Sequence, residues 1–295
     1  MIDRPLRSQP IVSEPLPVLP GWLETALAEL DRLRPAARIA AIEALFAREG
    51  LGILDALVGP AGEVTPGLHY PPGEVWDRRT NAQWFFHAHE AADQNGHGSH
   101  GRAALADEYG HFHTFLGAGG MPPGIQPFVL PEIAMEPVVL PVRETGDPGT
   151  HLSRRDRGRF SHLIGLSVDA RCRPVALFTT NRWVTGEVWY RAEDTVRMLD
   201  RFAFQPTLPP LPMPDPMAEP DPEPDAEILV SAWLAAVMEI LRPKIAELLM
   251  QRDAAVMDWR RRRSRQRHVF EDRRLDVTSV MAIDFPATLE RARLG

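Results

Sequence analysis

Apolar and polar residues change their period along this chain, and each change marks an element. From Trp22 to Glu49 apolar side chains recur at helical spacing, through Leu27, Leu30 and Leu33 and then Ile39, Ile42, Leu45 and Phe46. Pro35 divides the run into two helices, because a first-turn proline gives up an N–H that has no intrahelical partner. Gly50 and Gly52 stop the second helix, and a short third one reaches Leu57. Residues 59–80 read as loop, with Pro-Pro-Gly turning the chain between Tyr70 and Trp76. Then the period drops to two. Trp84, Phe86 and Ala88 alternate with Phe85, His87 and His89, and residues 110–116 repeat the pattern. There His111, His113 and Phe115 share one face, and Phe112 and Thr114 the other. The Gly-rich stretch between these strands has room for a helical turn around Ala103 to Asp107.

Past a Pro-rich crossing and a basic loop at Arg154 to Arg159, residues 162–183 form a hairpin that turns at Asp169 to Arg173. Strict alternation places His162 on the face of Ile164, Leu166 and Val168. Residues 192–202 are an amphipathic helix. Prolines and acids then dominate 205–227, a composition that holds neither helix nor central strand and runs over the surface. Beyond it a long helix runs from Ile228 to about Trp259, straight or kinked at Pro243, and residues 276–284 could form a last strand. The helix carries too much apolar surface to stand alone, so it docks on the N-terminal helices or on a second copy of the chain.

These elements predict an α+β fold: an antiparallel sheet over residues 70–190, either open or barrel-like, flanked by helices at both ends. The expected organisation is an extended N-terminus and helical region (1–58), a β-rich core with the histidines (59–204), the acidic linker (205–227), and a C-terminal helix and basic tail docked on the core (228–295).

Composition narrows the chemistry. The chain has 295 residues and a net charge of -7, which does not suit nucleic acid as a partner. Cys172 is the single cysteine, so there is no intrachain disulfide and no Cys-rich zinc module. Lys244 is the single lysine, and no Gly-Lys-Ser/Thr phosphate loop exists. The N-terminal stretch lacks the apolar run of a secretory signal, and the apolar stretch near Ile228 to Ile240 is too short to span a bilayer. A cytoplasmic protein without a membrane partner is expected.

Nine of the ten histidines fall between His69 and His162. Two His-x-His pairs lie on neighbouring strands, and alternation aims both rings of a pair to one side. His87, His89, His111 and His113 could therefore converge on one divalent transition metal (Zn, Fe, Mn, Cu or Ni), with aromatic flanks lowering the local dielectric. Glu108 or Asp93 would add a ligand or base. Arg182, in NRWVTGE, could clamp a small anionic substrate. The other reading of NRWVTGE is an ordinary turn.

His-x-His on a strand resembles the cupin pattern, with His87, His89 and Asp93 matching its first motif and His113 or His162 its later histidine. That likeness implies bound iron, manganese or a similar metal, although the cupin glycine spacing is not met. Histidine-triad nucleotide hydrolases carry three alternating histidines; here Phe115 stands at the third place, which removes the nucleophile's position. From HYPPGEVWD through FHAH, HFHTFL and HLIGLSVD to TTNRWVTGEVWY, the chain resembles an uncharacterised family of bacterial proteins with no established activity.

Three functions fit these residues. The first is a metal-dependent enzyme that activates water or O2 on a small anionic substrate, with Glu108 and Arg182 as catalytic groups. The second is a non-catalytic metal site for storage, sensing or structure. The third is an organic-ligand pocket lined by histidines without metal. HGSHG (97–101) could close over a site as a lid or carry a metal in transit, and the arginine run 259–268 could bind nucleic acid or anionic lipid, but a polar surface loop and a solvated helix end are the favoured readings.

Overall fold

The structure is a computed structural model that describes residues 21–58, 64–77, 79–88, 108–128, 160–204, 224–263 and 268–294. Among the described residues three helices come first: α1 (Gly21–Leu30), α2 (Pro35–Arg48, with Pro35 in its first turn) and α3 (Ile53–Val58). They bury Leu27, Leu30, Ile39, Ile42 and Phe46, the apolar stripe read from the spacing.

Among the described residues six strands form one sheet in chain order: β1 (Tyr70–Trp76), β2 (Ala82–His87), β3 (Gly110–Gly117), β4 (Phe160–Val168), β5 (Pro174–Thr180) and β6 (Val277–Ala282). Every neighbouring pair is antiparallel. After β5 come α4 (Arg182–Thr185), α5 (Ala192–Met198), the long α6 (Pro224–Arg262) and, past β6, α7 (Phe285–Leu294).

The expected α+β class with an antiparallel sheet holds; the sheet is open, with β1 and β6 as its edges, and not the barrel that the sequence also allowed. The face a barrel would turn inward is filled by α6 instead. Trp84 Nε1 donates to Ser231 Oγ at 2.9 Å, and the Phe112 ring centre lies 5.9 Å from that of Trp233. α6 has 39 residues, so it spans about 58 Å. It touches α2, α3, α5, α7, β5 and β6. Its buried side chains include Val230, Trp233, Leu234, Val237, Leu241, Ile245, Leu248 and Leu249. One apolar cluster thus runs from Leu23 to Phe285. Among the described residues no helix is long and apolar enough to cross a membrane.

Two further readings change. β1 lies where a loop was expected: Pro71, Pro72 and Gly73 mask the strand signal. An edge strand tolerates proline because its outer N–H groups have no ladder partner, and the pairing is irregular between Tyr70 and Val75. α6 begins at Pro224, so the last residues of the expected linker are helical; proline suits a first helical turn. The expected turn near Ala103 and residues 205–223 lie outside the described residues.

Trp233 joins three layers. It is fully buried, meets Phe112 of the sheet, and donates from Nε1 to Glu43 Oε1 of α2 at 3.3 Å. Trp233→Ala should lower the unfolding free energy by about 3–5 kcal/mol, read from urea unfolding midpoints. A loss below about 1 kcal/mol would mean that α6 does not anchor the sheet.

Candidate metal centre

The β2–β3 register sets the site. His87 stands opposite His111, and Phe85 opposite His113. Side chains two apart share a face, so His87, His111 and His113 project together from the side of the sheet away from α6. Ring centres are 4.4 Å apart for His87 and His111, 5.3 Å for His87 and His113, and 4.8 Å for His111 and His113. One ligand nitrogen from each lies within 4.8 Å of the other two. His111 and His113 are buried, and His87 is half-buried. His89, Asp93 and the 97–101 loop lie outside the described residues.

Carboxylate and imidazole partners stand behind these rings. Glu108 Oε1 is 2.7 Å from His111 Nδ1, and its Oε2 accepts from Ser167 Oγ at 3.0 Å. A carboxylate accepts, so this contact calls for a proton on His111 Nδ1, and a neutral ring then keeps Nε2 as its lone pair. His113 Nδ1 is 3.0 Å from His162 Nε2, and His162 Nδ1 is 3.4 Å from Thr180 Oγ1.

His162 corrects the alternation read from the sequence. Strict alternation puts it on the face of Ile164; the structure places it on the histidine face. Ile164 pairs with Thr114, but His162 pairs with Phe115, so Leu163 is an extra residue in β4. This β-bulge turns His162 to the other side. A bulge depends on the partner strand, and nothing in HLIG announces it.

Aromatic rings wall the site. Phe85 lies between His69, at 3.9 Å, and His113, at 5.1 Å. Phe178 meets His111 edge-on at 5.0 Å. It occupies space left by Gly165, where a Cβ would come within 2.1 Å of Phe178 Cζ. His69 Nδ1 donates to Glu74 Oε1 at 3.1 Å, and Gln83 Nε2 also donates to Glu74. Glu74 is buried and sits at φ 63°, a conformation that glutamate rarely adopts. The sequence marks His162 only as the later histidine of the cupin-like pattern and Glu187 only as part of NRWVTGE, and it carries no signal for His69, Glu74 or Gln83, because tertiary packing rather than local pattern brings them to the site.

Electrostatics behind the site centre on Glu187. Its Oε2 accepts the His162 N–H at 2.7 Å and lies 3.4 Å from Ser161 Oγ. Burial pushes its carboxyl up from 4.5 to about 7, against the pull of Arg252, the His162 N–H, Arg182 and Ser161. Burial, and then the Arg252 charge, pushes His162 down from 6.5 to about 3, so its ring is neutral near neutral pH. Arg252 is itself buried, with Nη2 donating to Tyr190 O at 2.6 Å and its guanidinium 4.2 Å from the Trp189 ring. Arg182 heads α4 behind the Asn181 cap and pairs with Glu271. The structure thus gathers His87, His111, His113 and, through His111, Glu108; Arg182 groups with Glu271 and Glu187.

Glu187 gives a pH test. Its proton is held more tightly folded than unfolded, so it stabilises the fold below 4.5 and that stability is lost as pH rises to about 7. Glu187→Gln cannot titrate. Across that window the metal-free variant should lose less unfolding free energy than wild type, by on the order of 1–3 kcal/mol. Urea unfolding at several pH values measures this, and parallel curves would show an ordinary carboxyl.

The model of a family described as a domain of unknown function (DUF6969) matches residues 33–283. No curated protein and no solved structure matches. The matched span holds the whole sheet and all three clustered histidines, in line with the resemblance to an uncharacterised family: the chain belongs to the DUF6969 family.

Proposed function

We propose that this protein binds one divalent first-row transition metal on His87, His111 and His113. The observation that carries the reading is the convergence of the three ligand nitrogens within 4.8 Å. Neutral imidazole is a good ligand for such ions. In this reading His111 and His113 ligate through Nε2, because Nδ1 of each is engaged by Glu108 or His162. Glu108 then orients His111 and raises its basicity, acting through that ring.

Three protein ligands leave a coordination position for water, O2 or a substrate oxygen, the arrangement of catalytic sites. Among the described residues no fourth ligand joins the cluster, and such an open centre is what an enzyme would use. His89 is the fourth candidate ligand by its spacing, and filling that position would favour storage or structure. Arg182 as an anion clamp needs release from Glu271, so its engagement favours anchoring of the C-terminal segment.

Purified protein should contain or take up about one equivalent of Zn, Fe, Mn, Cu or Ni, and His87→Ala with His113→Ala should abolish binding. Elemental analysis and titration calorimetry measure both. His89→Ala decides between three and four ligands: unchanged affinity supports the open centre. If wild type takes up none of these ions, the metal reading fails, and the aromatic walls favour an organic-ligand pocket.

A further inference from the structure

We infer that His162, held by Glu187 and Thr180, is a positioning residue that fixes which nitrogen of His113 faces the metal. The inference rests on the metal reading above and goes beyond it, because none of these three residues is a proposed ligand.

Three observations converge. The first is the bulge. With unbroken alternation from Gly165, Leu163 would stand on the histidine face and His162 would point into the core. The extra residue breaks the ladder, and what it delivers is one imidazole beside His113. The second is the clamp. Glu187, buried and outside the sheet, accepts the His162 N–H at 2.7 Å, and Val188 N donates to Phe160 O at 2.9 Å. These bonds hold the opening of β4 in its displaced register. The third is the line of contacts from His113 Nδ1 to His162 Nε2 at 3.0 Å and from His162 Nδ1 to Thr180 Oγ1 at 3.4 Å.

Proton placement links these contacts to the metal. A neutral imidazole has one N–H and one lone pair. When His113 Nδ1–H donates to His162 Nε2, His162 Nδ1–H is left to donate to Thr180 Oγ1. His113 then presents its Nε2 lone pair. The reverse assignment would put a proton on His113 Nε2 and block it as a ligand. Packing alone would be served by any apolar side chain, as it is at Leu163 and Ile164. The bulge, the clamp and the matched nitrogen atoms are what a ligand-orienting group requires.

The test uses full-length protein and cobalt(II), whose visible absorption reports ligand geometry. His162→Ala should weaken cobalt binding about 10- to 100-fold and change the bands. His162→Gln, whose amide oxygen can accept from His113 Nδ1–H, should recover much of the affinity and the wild-type bands. Thermal unfolding of each metal-free variant confirms a folded chain. Should His162→Ala not fold, Thr180→Val, which keeps both imidazoles, gives the same reading: weaker binding with altered bands supports the role. A folded His162→Ala or Thr180→Val chain with wild-type affinity and bands overturns it. If wild type itself binds no cobalt, zinc, iron, manganese, copper or nickel, the metal reading falls and this one with it. Loss confined to the variants separates the two.

Discussion

The registered pairing of β2 with β3 is the constraint on which the rest of this molecule depends. Its inner face is pinned by apolar packing: Trp84, Phe86, Phe112 and Leu116 are fully buried, and Trp84 and Phe112 meet Ser231 and Trp233 of α6. A slip of one residue would send Trp84 and Phe86 to the other side and His87 into the core. Hydrophobic burial on one side therefore fixes the chemistry on the other. His87 faces His111 because the tryptophan and phenylalanines behind them have one good place to go.

The histidine side has the reverse problem. Buried imidazoles need partners, since an unsatisfied polar group in an apolar setting is costly. The structure answers with groups from well-separated parts of the chain. Glu108 precedes β3, His162 opens β4, Thr180 ends β5 and Glu187 follows α4. Burial and the Arg252 charge keep His162 neutral, so it can serve as donor and acceptor at once. Aromatic rings close the sides, with Phe178 seated over Gly165 because no Cβ stands in its way.

Long-range ties hold this arrangement. α6 sits between α2 and the sheet, and the segment after it returns as β6. Asn181 Nδ2 donates to Val269 O and Trp183 Nε1 to Leu275 O, so NRWVTGE fastens the C-terminal segment to the end of β5. That explains its polar and aromatic composition without a substrate. Its sequence reads as a turn; it forms the short capped helix α4, with Asn181 at its start and Gly186 in the left-handed conformation at its end.

Local periodicity determined much of this protein. Helical spacing marked α1, α2 and α6, and alternation marked β2 and β3 and assigned His87, His111 and His113 to one face. Those readings hold because side-chain period follows from backbone geometry, which is local. Pairing is not local, and there the tertiary structure decided. It made a strand of Tyr70–Trp76 despite two prolines, since only an edge position leaves their missing N–H groups unneeded. It left the sheet open, because α6 took the face that closure would have used. It also moved His162 across the sheet with one extra residue, placing it and Glu187 behind the metal-competent histidines. A bulge is defined by the strand opposite, so no reading of β4 alone contains it.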